Sequence, residues 1–161
     1  MESKKGVCKA AQGLIAAHNM LPHPEGGYYV ETYRSGLIVS TKAGPRCAST
    51  AIYFLITPGN VSRLHILTAD EVWHFYEGGP MTVIELDKRN PKQYKATVLG
   101  PDLSKGHKSQ HVVKAGTWFG SFPNEGSEYS FVGCTVAPGF EFDDFRMADE
   151  SIYDEFPKAK E

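Results

Sequence analysis

Arg63, His65 and Glu71 have the side-chain types and spacing that could do chemistry. They lie in one stretch, Ser62-Arg63-Leu64-His65-Ile66-Leu67-Thr68-Ala69-Asp70-Glu71-Val72-Trp73-His74-Phe75-Tyr76-Glu77-Gly78. Successive side chains of a strand point to opposite faces. Taken as a hairpin with the loop Thr68–Asp70, the stretch sets Leu67 opposite Glu71, His65 opposite Trp73 and Arg63 opposite Phe75, so these six share a face. Leu64, Ile66, Val72, His74 and Tyr76 take the other face, and a one-residue slip would exchange the two. The first face mixes three ionisable groups with two large aromatics, the composition of a ligand cavity with apolar walls and a few convergent polar groups. An imidazole near its ordinary pKa of about 6.5 accepts a proton at neutral pH, and a carboxylate at its other nitrogen fixes the tautomer. His65 and Glu71 are therefore a candidate acid/base pair. Burial would raise the Glu71 pKa while Arg63 or His65 nearby would lower it, and the sequence leaves the balance open.

The elements that must position this stretch are mostly strands. Ala11, Leu14, Ile15, His18 and Leu21 recur at helical spacing up to Pro22, which predicts one N-terminal amphipathic helix within residues 1–21. Beyond it, β-branched and aromatic runs alternate with turn signals. Strands are expected at Tyr28–Arg34, Thr50–Thr57, Arg63–Leu67, Glu71–Glu77, Met81–Leu86, Lys95–Val98, Gln110–Val113, Thr117–Phe119 and Glu128–Val136. Many short strands over residues 22–140 describe an all-β sandwich or barrel. From Glu141 to Glu161 there are eight acidic and three basic residues. This segment is expected as a solvated surface helix or frayed end, touching the body through Phe142, Phe145 and Phe156.

At 161 residues the chain has the length of one domain. Lys plus Arg number 17 against 19 Asp plus Glu, a net charge of −2. That field is too weak for a dedicated nucleic-acid binder or a polybasic membrane anchor. Cys8, Cys47 and Cys134 form no CxxC pair and suit neither a disulfide framework nor a structural zinc site. The start lacks the apolar core and cleavage site of a signal peptide, and no uncharged run is long enough to cross a bilayer. A soluble cytoplasmic protein is expected.

The stretch from His65 to Gly78 resembles the first motif of the cupin superfamily, with His65, Glu71 and Gly78 matching and Leu67 at the second His position. The second motif is similar to Lys114-Ala115-Gly116-Thr117-Trp118-Phe119, in which Gly116 matches while Lys114 and Phe119 replace its Pro and its His. More closely, the strings LPHPEGGYYVETYRS, RLHILTADEVWHFYEGG and VGCTVAPGFEFDDF look like the DUF985 or cupin 5 family of small proteins with an RmlC-like jelly roll. The resemblance implies a double-stranded β-helix, with the N-terminal helix and a short C-terminal one attached, and a homodimer. It settles no activity.

A catalytic cupin metal site takes about four protein ligands, and the resemblance supplies His65 and Glu71 alone. No cofactor is expected, and a divalent ion would be held weakly by those two. His74 lies three residues past Glu71 and should point to the opposite face. The fold is also similar to that of metal-free sugar-nucleotide epimerases, which implies a base role for His65, but the epimerase acid Tyr falls near Val132. Trp73, Phe75, Trp118, Phe119 and Tyr53 could stack a base or sugar, and Arg63 or Arg34 could meet a phosphate. Each aromatic could equally be a core residue. Pro24-Glu25-Gly26-Gly27 reads as a structural turn before a strand, and Cys134 as a small buried hydrophobe.

Three functions remain open. The chain could bind a small polar ligand, such as a nucleotide or sugar phosphate, with proton transfer by His65 and Glu71. It could be a metal-dependent dioxygenase or isomerase with further ligands. It could be a dimeric binding protein without catalysis, its His–Glu pair satisfied internally.

Overall fold

A computed structural model describes residues 7–86, 89–90 and 93–155. Helix α1 spans Lys9–Ala17 and the short α2 Ile152–Glu155. Between them run β1 (Leu21–Pro22), β2 (Tyr28–Arg34), β3 (Ile38–Thr41), β4 (Gly44–Cys47), β5 (Thr50–Ile56), β6 (Ser62–Leu67) and β7 (Asp70–Gly78). They are followed by β8 (Met81–Leu86), β9 (Tyr94–Leu99), β10 (Gln110–Val113), β11 (Phe119–Pro123), β12 (Ser130–Ala137) and β13 (Phe145–Met147).

The helix stops earlier than the apolar spacing predicts. Asn19 takes a left-handed φ of 51°, which an Asn tolerates better than most residues, and the Met20 N–H closes on the Ile15 carbonyl. Leu21 therefore lies in β1 rather than on the helix.

Two sheets carry the fold. One has the order β1-β2-β5-β12-β7-β10, the other β13-β6-β11-β8-β9, and β3-β4 forms a separate ribbon that the sequence did not announce. Each sheet is hydrogen-bonded within itself, so the jelly roll is a sandwich rather than a closed ring. The core lies between the sheets: Phe54, Trp73, Val132 and Cys134 from the first meet Leu67, Met81, Val83, Leu99 and Phe119 from the second. Burial of these side chains from water is the main drive for closing the two layers.

Strands β6 and β7 are not the hairpin expected from their sequence. β6 pairs with β11 and β13, whereas β7 pairs with β12 and β10. Thr68 and Ala69 turn the chain from one sheet to the other. Side-chain alternation does not depend on which strand lies alongside, so His65, Leu67, Glu71 and Trp73 still all point inward and are buried.

The chain itself covers part of each outer face. α1 packs on the six-stranded sheet through Ala11, Leu14 and Ile15 over Leu55, Phe131 and Tyr53. On the other sheet, Leu64 and Ile66 lie under Trp118, Ala148 and Ile152. The expected solvated tail is thus part of the body: residues 145–147 form the edge strand β13, because Phe145 and its neighbours have a hydrophobic face to bury. Phe156 lies outside the described residues. None of the described helices is long and apolar enough to cross a membrane.

Candidate functional site

A cavity of about 340 Å³ opens between the sheets near β1, β2 and the 140–145 segment. Leu21, Tyr29, Ile52, Phe54, Val136 and Phe140 are among its apolar walls, and Glu25, His65, Glu71 and His23 form its polar end. That volume sits at the lower end of the roughly 300–1,000 Å³ typical of small-molecule sites.

His65 is 2 % exposed and held at both ring nitrogens. Its Nδ1 lies 2.7 Å from the Arg63 carbonyl oxygen, so this nitrogen carries a hydrogen and donates it. Its Nε2 lies 2.9 Å from Glu25 Oε2. The Phe119 ring packs 4.1 Å away, centroid to centroid, and Phe145 covers the imidazole at 5.3 Å. Burial would pull the His65 pKa down, but the Glu25 carboxylate in contact, with Glu71 behind it, raises it above the ordinary value. Reciprocally, burial would raise the Glu25 pKa, and contact with His65 outweighs it and leaves Glu25 below the usual carboxylate range. The pair is a buried, hydrogen-bonded ion pair.

Glu25 is the residue that sequence reasoning missed. It sits in the turn between β1 and β2, which read as purely structural, yet it is only 6 % exposed. Gly26 follows it at φ 112°, where an added Cβ would overlap the Val61 carbonyl, so only glycine lets the turn press against the start of β6. The Arg63 backbone N–H donates to the Glu25 carbonyl at 2.8 Å, and its guanidinium donates to the Pro24 carbonyl. His23 accepts the Glu25 backbone N–H on Nδ1 at 3.1 Å, and burial lowers its pKa, so it is a neutral imidazole. The signal available in the sequence was His23-x-Glu25 within the string LPHPEGGYY.

Glu71 enters from β7, flanked by Val113 of β10 and Val136 of β12. It is 8 % exposed, and its Oε2 has no hydrogen-bond partner among the described residues. Trp73 and Cys134 lie against its carboxyl, but the Trp73 indole N–H also completes no hydrogen bond among the described residues. Burial pushes the Glu71 pKa up to about 7; the His65 charge opposes this and Glu25 reinforces it. Desolvation thus wins the contest that the sequence left open. The Cys134 thiol is itself pushed well above its ordinary pKa by burial and the two carboxylates, so it stays protonated.

Of the other residues offered from sequence as ligand contacts, Arg34 alone lines the cavity. Trp73 and Phe119 belong to the core between the sheets, with Phe75 packed against it. Tyr53 faces outward beneath α1, and Trp118 is on the outer face of the other sheet with Arg146 over its ring at 5.0 Å. Arg63 is exposed and grips the Glu25 turn. His74 points away from the cavity, to Thr135 and Gln110. Strand parity cannot separate a face turned to a cavity from one covered by a helix or packed into a core.

The donor set does not fit a catalytic metal. Both His65 nitrogens are engaged, and among the described residues no three His, Cys, Asp or Glu side chains converge on a point an ion could take.

Comparison with known proteins agrees with this architecture. Residues 12–148 match the family model described as Cupin superfamily (DUF985). An uncharacterized protein of Saccharomyces cerevisiae is 31% identical over 148 residues, covering 83% of this chain and 72% of the yeast protein. Solved structures of a hypothetical protein from Leishmania major and of a protein from Shewanella oneidensis both superpose with a TM-score of 0.84. They are 33% and 36% identical, covering 92% and 93% of this chain and 93% and 92% of theirs. A Bacillus subtilis oxalate decarboxylase variant, 14% identical with a TM-score of 0.57 over 83% of this chain and 31% of its own, shares the fold.

Proposed function

This chain belongs to the DUF985 family of the cupin superfamily, and from that premise we propose that it binds a small polar organic molecule between its sheets and exchanges a proton with it through Glu71. The observation that carries this is the buried Glu71 carboxyl, which lines the cavity and has one oxygen without a hydrogen-bond partner among the described residues. Leaving such a group unpaired costs about 1–3 kcal/mol, which a ligand polar group placed against it would recover. A carboxyl that titrates near 7 can either give or take a proton at neutral pH. As a base it takes the proton and leaves the electron pair on the ligand; as an acid it does the reverse.

In this proposal His65 and Glu25 hold a fixed charge beside the reacting group rather than shuttle protons. With Nδ1 on a carbonyl and Nε2 on a carboxylate, the imidazole is oriented and its charge is matched by Glu25, so neither nitrogen is free to take the ligand's proton.

A thermal-shift screen of small polar metabolites, repeated on Glu71→Gln, tests the proposal. A ligand at 100 times its Kd stabilises by about 2.7 kcal/mol, and the same compound should bind the variant at least about tenfold more weakly. Hits that bind the variant and the natural protein equally would overturn it.

A further inference from the structure

The charge of the cavity carries information about what enters it. Its lining includes two cationic groups, and both are already matched to carboxylates. Arg34 donates to Glu31 through Nε and Nη2, each at 2.9 Å, to Glu141 through Nη1 at 2.7 Å, and to the Phe140 carbonyl at 3.1 Å. His65 is spent on Arg63 and Glu25. Against these two stand four lining carboxyl groups, Glu25, Glu31, Glu71 and Glu141. A phosphate or carboxylate ligand would therefore find no free cation among the described lining residues, and it would meet a surplus of like charge. Glu71 lines the same space with a carboxyl more than nine-tenths buried, one oxygen of which has no partner among the described residues, and a positive group placed against that carboxyl would be well received. Beyond it, Tyr29, Phe54, Phe140, Phe142 and Phe145 line the same space, and aromatic faces attract a desolvated cation.

We propose that this cavity selects small organic cations, with an ammonium or amidinium group against Glu71 and the carbon skeleton among the aromatic walls. The proposal rests on the preceding reading of the cavity as a ligand site and adds the class of ligand. Both features are needed: carboxylates alone would suit a hydrated metal ion, while the aromatic rings favour a poorly hydrated organic one.

Three probes of nearly equal shape separate the possibilities: neopentylammonium, neopentyl alcohol and pivalate, which differ chiefly in charge. Each is titrated into the protein at low ionic strength and about pH 8, above the ordinary range of a carboxyl, with Kd read from shifts of cavity side-chain NMR signals. The ammonium should bind about tenfold or more tightly than the alcohol, a difference of about 1.4 kcal/mol, and pivalate most weakly. In Glu71→Gln the ammonium should lose about that tenfold while the alcohol keeps its affinity, which also shows that the variant is folded. Pivalate binding as well as the ammonium, or equal affinity for ammonium and alcohol, overturns the choice of cation but leaves the cavity as a ligand site. Failure of all three to move the cavity signals overturns both.

Discussion

Glu25 and His65 meet at 2.9 Å inside the protein, joining the turn before β2 to the middle of β6. The turn joins two strands of one sheet and β6 belongs to the other, so the contact helps fix how the sandwich closes over its cavity. Removing one partner of a buried pair leaves the other uncompensated, which is costlier than the net worth of the pair.

Glu25→Gln should accordingly lower the unfolding free energy by about 3–5 kcal/mol in urea. With the carboxylate gone, burial dominates the imidazole, and the His65 ring should titrate at a lower pH by NMR. A loss under about 1 kcal/mol, with an unchanged His65 titration, would contradict the assigned contact.

Glu71 gives stability a pH dependence of defined sign. The fold raises its pKa from 4.5 to about 7, so between those values the native chain keeps a proton that the unfolded chain has released. The contribution is complete below the unfolded value and is lost as pH rises through the folded one. Glu71→Gln removes it. The stability of the natural protein minus that of the variant should therefore fall by on the order of 3 kcal/mol between pH 4.5 and about 8, then level. Chemical denaturation across that range measures it, and a difference that grows with pH would have the wrong sign.

The donor set of the cavity makes a metal prediction. Protein purified without chelator should keep its Tm within about 1 °C on adding EDTA, and Mn²⁺, Zn²⁺ or Ni²⁺ should bind too weakly to raise it further. A stoichiometric ion that resists dialysis, with a Tm that drops on chelation, would show that ligands rearrange to hold it.

How far the sequence reaches is clear from particular residues. The inward aim of His65 and Glu71 was legible because alternation is a property of each strand alone. The partners of β6 and β7 were not, because pairing is decided by strands far away in the chain, β11 and β13 for one, β12 and β10 for the other. Glu25 escaped notice because a carboxylate in a Gly-rich turn ordinarily points to water, and its burial depends on contact with β6. Tyr53 and Trp118 looked like ligand platforms because an aromatic on a strand carries no mark of whether a cavity or a covering segment lies over it.

The protonation of Glu71 itself can be followed through its carboxyl carbon NMR resonance, assigned by its disappearance in Glu71→Gln. The resonance should titrate with a midpoint of about 7, coupled to a smaller response at His65. A midpoint at or below 4.5, the value of a solvated carboxyl, would mean that water or an unrecognised donor reaches this oxygen, and Glu71 could not be the proton-exchanging group.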